Sequence, residues 1–107
     1  MAKSKRTKVT EIPKKVKLIV NERDGGCCLE CGKPVTWHES CCHIIPRSKS
    51  GRGVEKNIIT LCVECHYKMD HTANRELMIA KAKRYIESIY GTVDWNSLIY
   101  KKGEDYE

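Results

Sequence analysis

The chain has 107 residues, of which 40% are hydrophobic and none is Phe, with seven Cys and a net charge of +6. A chain of this length makes one domain with a modest core. No apolar run approaches the ~20 residues of a membrane span, and the Lys-rich N-terminus lacks the apolar middle of a signal peptide. An odd number of cysteines, mostly in close pairs, argues against a disulfide framework and for a reduced, metal-binding chain, so a cytoplasmic protein is expected.

Residues 1 to 17 hold seven of the twenty Lys and Arg against one acid, Glu11, while bases and acids balance over the remainder. A basic arm over residues 1 to 11 is expected to be disordered and to suit phosphate binding by counterion release, although a solubilising tail would look the same. Residues 12 to 107 are expected to form one domain. Pro13 fits the first turn of a short helix, with Val16, Ile19, Val20 and Arg23 at helical spacing until Asp24-Gly25-Gly26 stops it. Turn formers crowd residues 27 to 53, predicting a knuckle at CLECGKP, a strand near Ser40 to Ile45 and a loop through PRSKSGRG. A second strand, NIITL, follows at 57 to 61. CVECHYKMDH then reads as a short helix. A longer helix over about 74 to 90 is expected to turn Leu77, Ala80, Ala82, Ile86 and Ile89 inward and to stop at Gly91. The last dozen residues read as a loose tail anchored by Trp95 and Leu98.

Cys28-Leu-Glu-Cys31 and Cys62-Val-Glu-Cys65 are two C-x2-C pairs roughly thirty residues apart, a spacing that lets four thiolates close one tetrahedral zinc site. Core cysteines or redox pairs are the rival readings, but a redox C-x-x-C has no need of a second pair. With four protein ligands the site has no open position and reads as structural, coupling Zn²⁺ binding to folding in a chain with a small core. Cys27 could replace Cys28, though the CxxCG shape favours Cys28.

His43, Asn57 and His66 form a spaced series that this zinc site leaves unexplained. The ordered set of knuckle, His43-Ile-Ile-Pro46, Asn57-Ile-Ile-Thr-Leu-Cys62 and Cys62-x-x-Cys65-His66 resembles the HNH endonuclease motif over residues 24 to 71. The resemblance implies an α+β fold, a small zinc-stapled ββα-metal core flanked by helices, in which two antiparallel strands and a helix clamp one catalytic ion. It implies a metal-dependent DNA endonuclease that nicks with weak sequence specificity and leaves 5′-phosphate ends. His43 would be the general base, a task that a neutral imidazole suits near pH 7. Asn57 would hold His43 in orientation through a loop carbonyl, and His66 would be the helix ligand of the ion. The resemblance also suggests a phage-type enzyme of the host cytoplasm, with packaging proteins such as terminase among its partners.

Family members usually carry Asp or His just before the base, where this chain has Cys42. A thiolate suits Mn²⁺, Ni²⁺, Co²⁺ or Zn²⁺ better than Mg²⁺. Asp70, four residues after His66 on the same helix face, could reach the same ion; His71 is the weaker candidate. Cys41 is expected on the opposite strand face, in the core. Lys3, Lys5, Arg6 and Lys8 of the arm, with Arg47, Lys49 and Arg52 of the loop, are the candidate DNA contacts. The reading of another class is a non-catalytic zinc-ribbon nucleic-acid-binding module, which would have no reason to keep His43, Asn57 and His66 together.

Overall fold

In the computed structural model, residues 4–38 and 40–102 are described. Lys3 therefore lies outside the described residues. The first element among the described residues is α1 (Lys5–Thr10), within the stretch where disorder was expected. The Ser4 hydroxyl caps it by accepting the Thr7 N–H at 3.1 Å. Six residues cannot hold a helix alone, and docking supplies the remainder. Gly53 N–H donates to the Val9 carbonyl at 3.0 Å, and Arg6 donates to Ser50 Oγ at 2.8 Å and to the Arg47 carbonyl.

Helix α2 (Lys14–Arg23) follows Pro13, which stands at its N-cap. Val16 and Val20 turn inward onto Ile58, while Ile19 stays largely exposed. Asp24, expected only to stop this helix, is buried and ties three elements together. Its carboxylate pairs with Arg23 at 2.7 Å and accepts the Thr60 N–H at 3.0 Å and the Tyr85 hydroxyl at 2.6 Å. Arg23 in turn donates to the carbonyls of Glu55 and Ile58.

Strands β1 (Cys41–His43) and β2 (Ile58–Thr60) pair antiparallel, with Cys42 opposite Ile59 and His43 opposite Ile58. They are shorter than expected, but the bonding continues one step past each end, from Leu61 N–H to the Ser40 carbonyl and from Ile44 N–H to the Asn57 carbonyl. Alternation sends Cys42 and Ile59 to one face, against the larger core, and Cys41 and Ile58 to the other, against α2. Helix α3 (Val63–His71) starts on Cys62, whose sulfur accepts the Cys65 N–H.

Helix α4 (Arg75–Tyr90) ends at Gly91 as expected. Its buried stripe is Met78, Ala82 and Ile86. Leu77 is instead 69% exposed and Ile89 also faces outward. The expected and observed stripes share Ala82 and Ile86, and the neighbours of the larger core, Met69 on α3 with Val93 and Leu98 of the tail, decide between them. The tail is stitched down: Leu98 is buried, Arg52 N–H donates to the Leu98 carbonyl and Tyr100 N–H to the Ser50 carbonyl, both at 2.8 Å. No helix among the described residues is long and apolar enough to cross a membrane.

Candidate functional site

The metal cluster comes from two turns. In the first, Cys28 N–H donates to the Lys33 carbonyl and Gly32 N–H to the Cys28 carbonyl, folding the knuckle back so that Cys31 N–H points at Cys28 Sγ. In the second, Cys65 N–H points at Cys62 Sγ in the same way. The sulfurs of Cys28, Cys31, Cys62 and Cys65 lie within 4.8 Å of one another, with Cys31 and Cys62 at 3.6 Å. Thiolates bound at about 2.3 Å to a tetrahedral ion stand about 3.8 Å apart, so this donor set could hold zinc. Burial opposes charge on Cys28, but the N–H groups of Cys31, Cys62 and Glu30 outweigh it and hold the thiol down to about 7. Cys27 is outside the cluster and bridges Pro34 instead.

His43 sits at the end of β1 with Nε2 at 2.8 Å from the Thr10 carbonyl oxygen. A carbonyl can only accept, so Nε2 carries the proton and Nδ1 of the neutral ring keeps its lone pair. Burial is the main cause holding the His43 pKa below its ordinary range; the charges of Arg47 and His66 add to it and the Thr10 bond opposes it.

Asn57 is fully buried, and its side-chain hydrogen bonds go to the loop backbone and not to His43. Its Oδ1 accepts the Ile45 N–H at 2.8 Å, and its Nδ2 donates to the carbonyls of Ile45 at 3.1 Å and Arg52 at 2.9 Å. The loop after His43 is thereby closed on itself. A Cβ on Gly51 would overlap the Ile45 carbonyl and crowd this amide, which is why the loop has glycine there. The carbonyl that meets His43 comes from α1, not from this loop.

His66 and Asp70 meet on α3, with Nε2 and Oδ2 3.3 Å apart and side chains 42% and 46% exposed. Arg75, which the sequence reading did not single out, stands 3.4 Å from Asp70. His71 turns away and packs on the Tyr67 ring. Cys42, expected as the strand-side ligand, is 2% exposed, with its sulfur 3.6 Å from Met69 Sδ. Burial, with the Asp70 charge adding, pushes its thiol up to about 12. Burial pushes the thiols of Cys62 and Cys65 up as well, so what sets Cys42 apart is its place outside the four-sulfur cluster, against the Met69 side chain. Cys41, placed in the core by the sequence, is only half-buried, beside α2.

Lys8, Lys17 and Arg47 line an open cleft of about 430 Å³ together with His43, Glu11, Ile12 and Pro13. Lys17, one of the seven bases of residues 1 to 17, is not among the DNA contacts expected from the sequence, although it stands on α2 one turn past Pro13. Lys5 is exposed on α1 and Lys49 in the turn Arg47–Lys49. Arg6 is spent on holding α1, and Arg52 donates to the Ser97 carbonyl at 3.2 Å.

Fold and site together define a small α+β protein with a two-stranded antiparallel sheet, flanking helices and a four-cysteine cluster compatible with zinc. Residues 28–72 match the family model described as HNH endonuclease. That match covers the motif from which the resemblance was read, and an HNH domain suggests nuclease activity on nucleic acid. No curated protein matches the chain.

Proposed function

We propose that the protein is a metal-dependent HNH endonuclease that hydrolyses DNA phosphodiester bonds, with His43 as general base. The observation that carries this reading is the His43 imidazole in a cleft shared with Lys8, Lys17 and Arg47, its Nε2 committed to Thr10. Nδ1 is then the nitrogen that takes a proton from the attacking water. The lysines and Arg47 hold phosphate oxygens beside it. Such contacts position the backbone without reading bases, which fits nicking of weak sequence specificity. Hydrolysis by this route leaves 5′-phosphate and 3′-hydroxyl ends.

His66 and Asp70 offer nitrogen and oxygen donors for a divalent ion, and the burial of Cys42 on Met69 favours this pair over the thiol. When bound, such an ion supplies charge stabilisation at the leaving oxygen. Donors of this kind accept Mg²⁺ as well as Mn²⁺, Ni²⁺, Co²⁺ or Zn²⁺. The four-cysteine cluster, with no donor position left open, takes a structural Zn²⁺ that ties the knuckle to α3.

Plasmid nicking across a metal series, with wild type and His43→Ala side by side, tests the reading. The variant is expected to keep its zinc and fold and to lose nicking by roughly 10²–10⁴-fold, the range for removal of a general base. Nicking at the wild-type rate by a folded variant would refute the base. A second reading, a zinc-stapled nucleic-acid-binding module, draws on Cys42 standing where the family usually has a hard donor. It requires DNA binding with no nicking by the wild type in any metal.

A further inference from the structure

Lys14, Lys15 and Lys17 crowd the first turn of α2, the end at which a helix dipole favours acids, and this turn has none. Cations there cost stability, an arrangement that suits an anion supplied from outside. Lys17 lines the cleft that holds His43. Lys14, one turn back, has its Nζ 5.6 Å from the centroid of the half-buried Trp37 ring, against which the His38 ring stands roughly edge-on at 5.2 Å. The turn that carries Trp37 is fixed at two points. Ser40 Oγ donates to the Thr36 carbonyl at 2.6 Å, and Cys41 Sγ to the Trp37 carbonyl at 3.7 Å. Cys41 lies two positions before His43 and so on the same face of β1, the one that meets α2. One helical turn rises ~5 Å and two strand residues ~7 Å, so at ~3.4 Å per nucleotide the indole stands roughly two to four nucleotides from a phosphate held in the cleft.

We propose that Trp37 is a stacking platform for an unpaired base a few nucleotides from the cut, and that the substrate is DNA with a gap, bulge or single-stranded junction rather than uninterrupted duplex. This rests on the reading of the cleft as the place of cleavage but is separable from it, because stacking can be read without turnover. A tryptophan face stacks any base, whereas a base inside a duplex has both faces taken by its neighbours, so only an unstacked one reaches the ring. The base takes the place of the Lys14 ammonium over the indole, and the ammonium then meets the phosphate of the same nucleotide. That exchange costs little, because an exposed lysine is held over an aromatic ring only weakly. Phosphate contacts alone hold every duplex alike, so the ring adds selectivity for DNA structure without selectivity for sequence.

The full-length, zinc-loaded protein, with no other divalent ion added, is titrated with a duplex, the same duplex carrying a short gap, and oligothymidine. In Trp95→Phe, where Trp37 is the one remaining indole, tryptophan emission should be quenched by the gapped and single-stranded probes and little changed by the uninterrupted duplex. Trp37→Ala should lose about ten-fold in affinity for the gapped duplex, in the range for one base–aromatic stack, and stay within about two-fold for the uninterrupted one. Trp37→Phe should recover most of that loss. Absence of quenching by the gapped probe, equal quenching by both duplexes, or an equal loss of affinity for both in Trp37→Ala would overturn the proposal. The emission and affinity measurements use different variants, so either decides if the other variant fails to fold. Gap-dependent quenching by a protein that nicks nothing in any metal would instead refute the endonuclease reading and leave the platform standing.

Discussion

Asn57 is the residue whose replacement most directly tests the loop that follows His43. Its amide makes three hydrogen bonds at 2.8, 3.1 and 2.9 Å inside a fully buried site. At a net ~0.5–1.5 kcal/mol each, Asn57→Ala should cost about 3 kcal/mol. For a domain of this size that corresponds to a fall in Tm of roughly 12–24 °C. Asn57→Asp is the sharper variant. It keeps the oxygen that accepts from Ile45 N–H but sets a second oxygen against the carbonyls of Ile45 and Arg52. Two acceptors face an acceptor, and the carboxylate is buried as well, so the loss at pH 7 should equal or exceed that of alanine. Its acid form can donate to one of the carbonyls, which raises the carboxyl pKa in the folded state. The variant should therefore be more stable near pH 4 than near pH 7 relative to wild type. Thermal unfolding followed by circular dichroism at fixed zinc concentration measures both. Asn57→Asp within about 1 kcal/mol of wild type at pH 7 would show that the amide NH₂ does not hold the loop.

Three other outcomes are expected. Because burial, Arg47 and His66 hold the His43 pKa below its ordinary range, and the base acts when neutral, the acid limb of kcat/KM should lie below pH ~6.5. Arg47→Gln should move that limb upward; a limb unmoved, or above 6.5 in the wild type, contradicts the assignment. The same depression makes the contribution of His43 to stability complete above its unfolded pKa and lost as pH falls through the folded one. Elemental analysis should find about one zinc per chain, and Cys62→Ser, which removes both a donor and the cap of α3, should unfold the domain, since structural zinc contributes on the order of 10 kcal/mol; a zinc-free folded protein refutes this. Cys42→Ala should nick like wild type in both Mg²⁺ and Mn²⁺, while Cys42→Asp should destabilise by burying a carboxylate near Asp70. Loss of nicking in every metal by a folded, zinc-loaded Cys42→Ala would make the thiol a ligand after all.

The two C-x2-C pairs, the order His43, Asn57, His66 and the three helices after Pro13 were legible in the sequence, for a common reason, whereas α1 was not. Ligand spacing, strand alternation and helical period are local rules, and each is carried by side-chain types at short separations. Asp70 beside His66 follows from the same geometry, being one helical turn away. What the tertiary structure decided involves groups that no residue letter reports, or contacts between distant segments. The carbonyl on His43 is backbone, and any residue at position 10 would have offered one; only the docking of α1 on Gly53 chose Thr10. The inward stripe of α4 settled on Met78 and not Leu77 because Met69, Val93 and Leu98 converge there. Asp24 became the buried tie between α2, β2 and α4 because Arg23, Thr60 and Tyr85 arrive at it from three elements. Cys42 shows the boundary between the two: alternation along β1 placed it opposite Cys41, but whether that face met an ion or a methionine depended on where α3 packed, and its sulfur lies against Met69.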